Sequence, residues 1–195
     1  MTKEQKDTDA FLHRLQEEAT ALTRAVSTED GQWVVKGFID LFRNVYTLSA
    51  DTKVISKVLE LLLFPLLVDF AGKHNYKVVL CQQQNFYPDM TFVNNDGKKY
   101  ALDLKTTYRT SQGQVNGLTL GAFTGYFRSR RSNKNITFPY GDYEEHYVLG
   151  AIYTKCESKP DEFKVFSLGD LENIASVARD IAFFAQPKWK IYTRA

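Results

Sequence analysis

Histidine and cysteine are scarce in this chain of 195 residues, with three of the first and two of the second. His13, His74 and His146 share no spacing that would build a metal centre or a catalytic triad, and they are assigned no role. Zinc chemistry of the His/Cys type and Ser-His-Asp hydrolysis are therefore set aside. Cys81 and Cys156 lack metal-ligand spacing and flank apolar runs. They are expected to be reduced and buried, as in a cytosolic protein. A Gly-rich phosphate loop, a nucleophile elbow, internal repeats and low-complexity tracts are all missing. The longest apolar stretch, Val58 to Val68, is too short to span a bilayer and contains Glu60. The first residues are charged and polar, unlike a secretory signal. An excess of one charge is missing too: 25 Lys and Arg face 23 Asp and Glu, a net +2. Overall charge thus demands no polyanionic partner, and any nucleic-acid reading has to come from local clustering.

What is present is ordinary for a globular domain, 44% hydrophobic and 25% charged residues, in a length that fits one domain. Residues 8–26 read as a helix, because Leu12, Leu15, Ala19, Leu22 and Val26 recur at three- and four-residue steps. That stripe either packs on the domain or joins two copies. A second amphipathic segment follows the break at 27–32, with Val34, Val35, Phe38, Leu41, Phe42 and Val45 on one side. Ser49-Ala50-Asp51-Thr52 caps a third helix that Pro65 is expected to kink or divide. Glu60 lies in the middle of it, and a carboxylate there must be solvated, salt-bridged or bound to metal. Later, Tyr76 to Cys81 reads as a strand, His146 to Thr154 as a central buried strand and Glu162 to Ser167 as another. A helix is expected from Gly169-Asp170 to about Phe184, then a short strand over 188–193. Helices followed by strands with one late helix make an α+β or mixed α/β domain, a central mixed sheet flanked by helices.

The informative stretch runs from Gln82 to Lys105. Pro88-Asp89, a short apolar run, a turn at Asn94-Asn95-Asp96-Gly97 and then Tyr100-Ala101-Leu102-Asp103-Leu104-Lys105 read as a hairpin. Strand alternation sends Ala101, Asp103 and Lys105 to one face and Tyr100, Leu102 and Leu104 to the other. Pairing across the turn brings Asp89 towards Asp103. Two carboxylates and a lysine at one place suit a hard divalent cation with a cationic group beside it. Asp/Glu-x-Lys alone means little, since it occurs six times, and Pro-Asp occurs twice. Only Pro88-Asp89 with Asp103-Leu104-Lys105 has apolar strand residues on both sides and a turn between. A solvated hairpin face is the competing reading. Arg128, Arg130, Arg131 and Lys134, interleaved with Tyr126, Phe127, Phe138 and Tyr140, form the one strong basic cluster. Such a cluster is either a solvated face or a set of phosphate contacts.

These motifs carry a resemblance. Ser49-Ala50-Asp51-Thr52-Lys53-Val54, Glu60-Leu61, Gln83-Gln84-Asn85-Phe86-Tyr87-Pro88-Asp89, Asp103-Leu104-Lys105-Thr106-Thr107-Tyr108, Thr119-Leu120-Gly121 and Lys134-Asn135-Ile136 occur in order. In them the chain resembles the EcoRV-like type II restriction endonucleases, of the Pro-Asp…Asp-x-Lys nuclease superfamily, from about residue 49 to 191. The resemblance implies a restriction-endonuclease-like core over 49–195, preceded by N-terminal helices in 1–48 that could serve as a dimerisation arm. It implies a Mg2+-dependent, homodimeric, bacterial and cytoplasmic enzyme that hydrolyses double-stranded DNA at a short palindrome. By the same likeness, Asp89, Asp103 and Glu60 are the expected metal-binding carboxylates and Lys105 the active-site lysine. Gln84 and Asn85 fall in a minor-groove loop, and Thr107, Thr124 and Lys134 at positions of backbone contact. One departure stands out. The family's major-groove reading loop comes just after a strand matched here by Lys188-Trp189-Lys190-Ile191, so the chain is expected to lack that loop or to end before it. A DNA-binding module without turnover, and a repair or junction nuclease using the same metal site, are the alternatives.

Overall fold

A computed structural model describes residues 3–83, 85–119, 123–158 and 160–191. Helix α1 (Lys3–Val26) carries the expected stripe, and that stripe is spent inside the chain. Phe11, Leu15 and Leu22 are buried with Phe70, Phe92 and Tyr147. The Phe11 ring stacks on Tyr100 with centroids 4.6 Å apart. α1 is thus a layer of the core.

The second amphipathic segment is not a helix. It forms the hairpin of β1 (Gly37–Ile39) and β2 (Val45–Thr47). Its three- and four-residue spacing was compatible with a helix, but the local chemistry is that of a turn. Asp40 Oδ1 accepts the N–H of Phe42 and of Asn44, both at 2.9 Å, and Arg43 adopts φ 66. An Asx turn of this kind satisfies backbone donors that a helix would otherwise bond. Val34, Phe38, Leu41 and Phe42 are then exposed, while Val45 is buried, so the six apolar residues form no single buried stripe.

Helix α2 (Thr52–Lys73) starts where expected, with Asp51 Oδ1 accepting the N–H of Lys53 at 2.7 Å. It runs past Pro65 without being divided. Among the described residues no helix is long and apolar enough to cross a membrane. Strands β3 (Lys77–Leu80), β4 (Met90–Val93) and β5 (Lys99–Arg109) follow, then the short helix α3 (Phe123–Arg128). The long strand β6 (Tyr143–Lys155) is the buried central strand that its apolar run predicts. β7 is only Val165–Phe166, shorter than the strand expected over 162–167, and it joins β2 in a three-stranded antiparallel sheet.

Two expectations near the end are reversed. A helix does start near Gly169-Asp170, capped by Ser167, whose N–H Asp170 Oδ2 accepts at 2.9 Å, but only a 3-10 helix over Leu168–Asn173 results. Residues Ala178–Pro187 are strand β8, paired antiparallel along β6 from Tyr147↔Pro187 to Lys155↔Ala178. The open edge of β6 outweighs the local helical tendency. The segment read as a final strand is instead the one-turn helix α4 (Lys188–Ile191). The main sheet has the order β3-β4-β5-β6-β8, with β5 and β6 parallel and the other neighbours antiparallel. This is the mixed α+β architecture expected. Cys81 and Cys156 are free thiols, partly exposed and not buried as expected.

Candidate active site

The β4–β5 hairpin sets the site. Asn94 Oδ1 accepts the N–H groups of Asp96 and Lys98 at 3.0 and 2.9 Å, and Gly97 takes φ 79 to close the turn. That turn fixes the pairing Met90↔Leu102, so Asp89 comes opposite Asp103. Asp89 Oδ2 accepts the Leu104 N–H at 2.6 Å. Asp103 and Lys105 share the other face of β5, and Lys105 Nζ donates to Asp103 Oδ1 at 2.6 Å and to Leu104 O at 3.1 Å. The three residues singled out by motif are therefore brought together.

A fourth residue was missed. Lys188, at the start of α4, donates from Nζ to Asp103 Oδ2 at 2.8 Å. Its Nζ also lies 4.2 Å from the centre of the Tyr87 ring. A lysine 85 residues away gives no local signal beyond its place after an apolar run. Asp103 is only 4% exposed and carries both ammonium groups, one on each oxygen. Burial pushes its carboxyl up, but Lys188 and Lys105 overcome that and hold it below the ordinary value. Asp89 has no such pair of cations. Burial first, and the charge of Asp103 second, raise it to about 6. The two facing carboxylates are thus unequal: one is firmly ionised, the other poised to take a proton.

Tyr87, just before Pro88-Asp89, is clamped from the far side. It exchanges backbone hydrogen bonds with Asn135 O at 2.9 Å and the Thr137 N–H at 2.8 Å. Its hydroxyl lies 2.9 Å from His146 Nδ1, and His146 Nε2 lies 3.0 Å from Tyr140 O. A carbonyl can only accept, so Nε2 bears the proton and Nδ1 accepts from Tyr87. Burial drives the His146 pKa to about 3, which keeps the ring neutral, and it stacks on Tyr140 at 3.6 Å. His146, given no role from sequence, therefore acts as a packing and hydrogen-bonding strut behind the site.

Glu60 does not join the carboxylates. Its Oε1 is 2.7 Å from Lys57 Nζ, one turn earlier on α2. Among the described residues no three His, Cys, Asp or Glu side chains come close enough to hold an ion. Glu60, expected as a further metal ligand, is salt-bridged to Lys57 on the wall of a cleft that Lys105 also lines. That cleft, of about 540 Å³, lies between α2 and β5 and is lined by Lys53, Lys57, Glu60, Lys105 and Thr107 among others. Thr107 is 3% exposed and donates to Asn116 O at 2.8 Å. Its hydroxyl ties the following loop to β5. Asn85 and Lys134 are exposed, as are Arg128 and Arg131. Gln84 and the side chain of Thr124 lie outside the described residues.

A mixed sheet whose hairpin sets two acids and a lysine beside an open cleft is a restriction-endonuclease core. The comparisons make this specific. The family model described as "Restriction endonuclease EcoRV" matches residues 29–195. The chain is 34% identical over 172 residues to the type II restriction enzyme EcoRV of Escherichia coli, a match covering 87% of this chain and 69% of that enzyme. The chain belongs to the EcoRV restriction endonuclease family.

Proposed function

We propose that this chain is a magnesium-dependent, site-specific deoxyribonuclease that cuts double-stranded DNA at a short palindrome as a homodimer. The observation that carries the reading is the register that sets Asp89 against Asp103, with Lys105 on the same carboxylate. The donors fit a hard cation. One ammonium already bonds Asp103 Oδ1 and Leu104 O together, so those oxygens lie within reach of a single positive charge. The Asp89 carboxylate faces them from the neighbouring strand. An all-oxygen set suits Mg2+. Asp89 and Asp103 would hold it, and when bound it supplies charge neutralisation at the phosphate and a more acidic water.

The chain's own residues do the rest. Asp103 is kept ionised by its lysines, ready to act as a ligand without first losing a proton. Asp89, raised to about 6, is a carboxylate above that pH and becomes a poor, neutral ligand only below it. Lys105 gives up its hold on Asp103 Oδ1 and directs its N–H groups at the phosphate oxygens. There it offsets the charge that grows as water attacks phosphorus. The water oxygen bonds phosphorus and its proton passes to solvent, the bond from phosphorus to the 3′ oxygen breaks, the alkoxide takes a proton from solvent, and a 5′-phosphate and a 3′-hydroxyl are left. Arg128, Arg131 and Lys134 supply phosphate contacts that position the duplex, and Asn85 reaches towards a groove.

A palindrome has two-fold symmetry, and cutting both strands takes two sites related by the same axis. The apolar face of the three-stranded sheet is the surface we assign to the second copy. Phe38, Tyr46 and Val165 form one exposed row across β1, β2 and β7, and Leu41 and Phe42 are exposed at the hairpin tip. The test is a digest of DNA of known sequence with magnesium. Discrete fragments with mapped 5′-phosphate ends are expected. A smear would replace this reading with a non-specific nuclease, and a gel shift without cuts would replace it with a binding module.

A further inference from the structure

Lys188 is the charged residue at the site that the reaction above leaves unused. It is 2% exposed, it bonds Asp103 Oδ2, and the Tyr87 ring covers it. Its backbone follows Pro187, paired with Tyr147, and opens α4, so the main chain is held as well as the side chain. Lys105 differs. Its side chain is 23% exposed and borders the open cleft. The two ammonium groups divide one carboxylate, an oxygen each, but they are unequal competitors for an arriving cation. Lys105 can swing into the cleft and regain water. Lys188 has no route to solvent, and stranding a buried ammonium costs several kcal/mol. Oδ1 is therefore the oxygen that becomes available, while Oδ2 stays held.

We propose that Lys188 is a positioning residue that confines Asp103 to donating one oxygen, and so selects a small octahedral cation over a larger one. The inference rests on the divalent-cation reading of Asp89 and Asp103. Magnesium demands near-octahedral geometry with short bonds and takes carboxylate oxygens singly. Calcium accepts six to eight oxygens and readily takes both from one carboxylate. With Oδ2 released, Asp103 can close on a cation with both oxygens, which favours the larger ion.

The experiment is calorimetric titration of the full chain with calcium and with magnesium, in the absence of DNA so that nothing turns over. Lys188→Met is expected to raise calcium affinity relative to magnesium by roughly tenfold. Lys105→Met removes an equal charge but leaves Oδ2 held, so the ratio should stay at the wild-type value although both affinities rise. An unmoved ratio in Lys188→Met, or an equal shift in both variants, overturns the proposal. Infrared spectra of the wild-type chain pose the same question without disturbing the fold. The Asp103 carboxylate bands, assigned by their loss in Asp103→Asn, should keep the one-oxygen splitting with either cation. A two-oxygen splitting with calcium overturns the positioning role. Wild-type chain that bound neither cation would overturn the metal reading and this inference with it, whereas binding with an unmoved ratio removes only the role of Lys188.

Discussion

At the scale of single residues, the site is a balance of two negative and two positive groups, and each substitution upsets it in a calculable direction. Asp103→Ala is expected to abolish magnesium-dependent cleavage in a plasmid digest. It should also lower stability by about 3 kcal/mol, read as a fall in Tm, because Lys188 is left buried without its carboxylate. Asp89 gives a pH signature. Its folded-state value, about 6, lies above the ordinary 3.8, so between those pH values the folded protein holds a proton that the unfolded chain has released. Its contribution to the stability of metal-free protein is therefore full below pH 3.8 and is lost as the pH rises through about 6. Asp103 has the opposite sign: held below the ordinary value, its contribution is present above that value and fades as the pH falls below it. Thermal melts in a chelator should decline from pH 4 to pH 6, and Asp89→Asn should flatten that decline. Asp89, Asp103 and Lys105 were legible in the sequence because a strand period and a four-residue turn suffice to bring them together. Lys188 was not, because its approach depends on β8 lying beside β6, a pairing set by the whole sheet.

At the scale of elements, pattern and pairing compete, and the outcomes differ for a physical reason. α1, β5 and β6 carry patterns that only one environment satisfies and form where expected, as does the start of α2, although α2 continues undivided through Pro65. Residues 34–45 and 174–187 carry patterns that fit either a helix or a strand, and tertiary pairing decided them. The Asx turn at Asp40 and the free edge of β6 are what a periodicity count does not contain. α1 offers a test. Phe11 is fully buried between Tyr100 and Phe70, so Phe11→Ala should cost about 3–5 kcal/mol and lower the Tm accordingly. A loss under 1 kcal/mol would mean that α1 is an appendage after all. The basic segment is likewise joined to the site by structure and not only by charge. Tyr126 donates to Lys134 O and Asn135 O, both at 3.0 Å, and Asn135 accepts from the Tyr87 N–H. Tyr126→Phe removes that brace while keeping every charge. Duplex affinity should fall about fivefold, the equivalent of ~1 kcal/mol, with the salt dependence unchanged. A changed salt slope would show that phosphate contacts themselves had been lost.

At the scale of the molecule, the decisive question is what covers the three-stranded sheet. Leu41 is 92% and Phe42 82% exposed at the tip of the β1–β2 hairpin, and Val165 on β7 is half exposed on the same sheet. Single exposed apolar residues are common, but the row of Phe38, Tyr46 and Val165 across three short strands is a surface made for burial. Phe11 of α1 already packs on Tyr100 and Tyr147, which favours the hairpin as the surface joining two copies. An isologous contact through it would give the two-fold axis that the proposed palindromic substrate requires. Phe38→Asp places a charge in that face without touching Asp89, Asp103 or Lys105. Sedimentation should then show wild-type dimer and mutant monomer at micromolar concentration. Double-strand cuts should fall at least about tenfold for the mutant, with nicked circles accumulating as single sites act alone. A mutant that remained dimeric, with linear product formed at the wild-type rate, would move the axis away from this sheet and return the search to the remaining exposed faces.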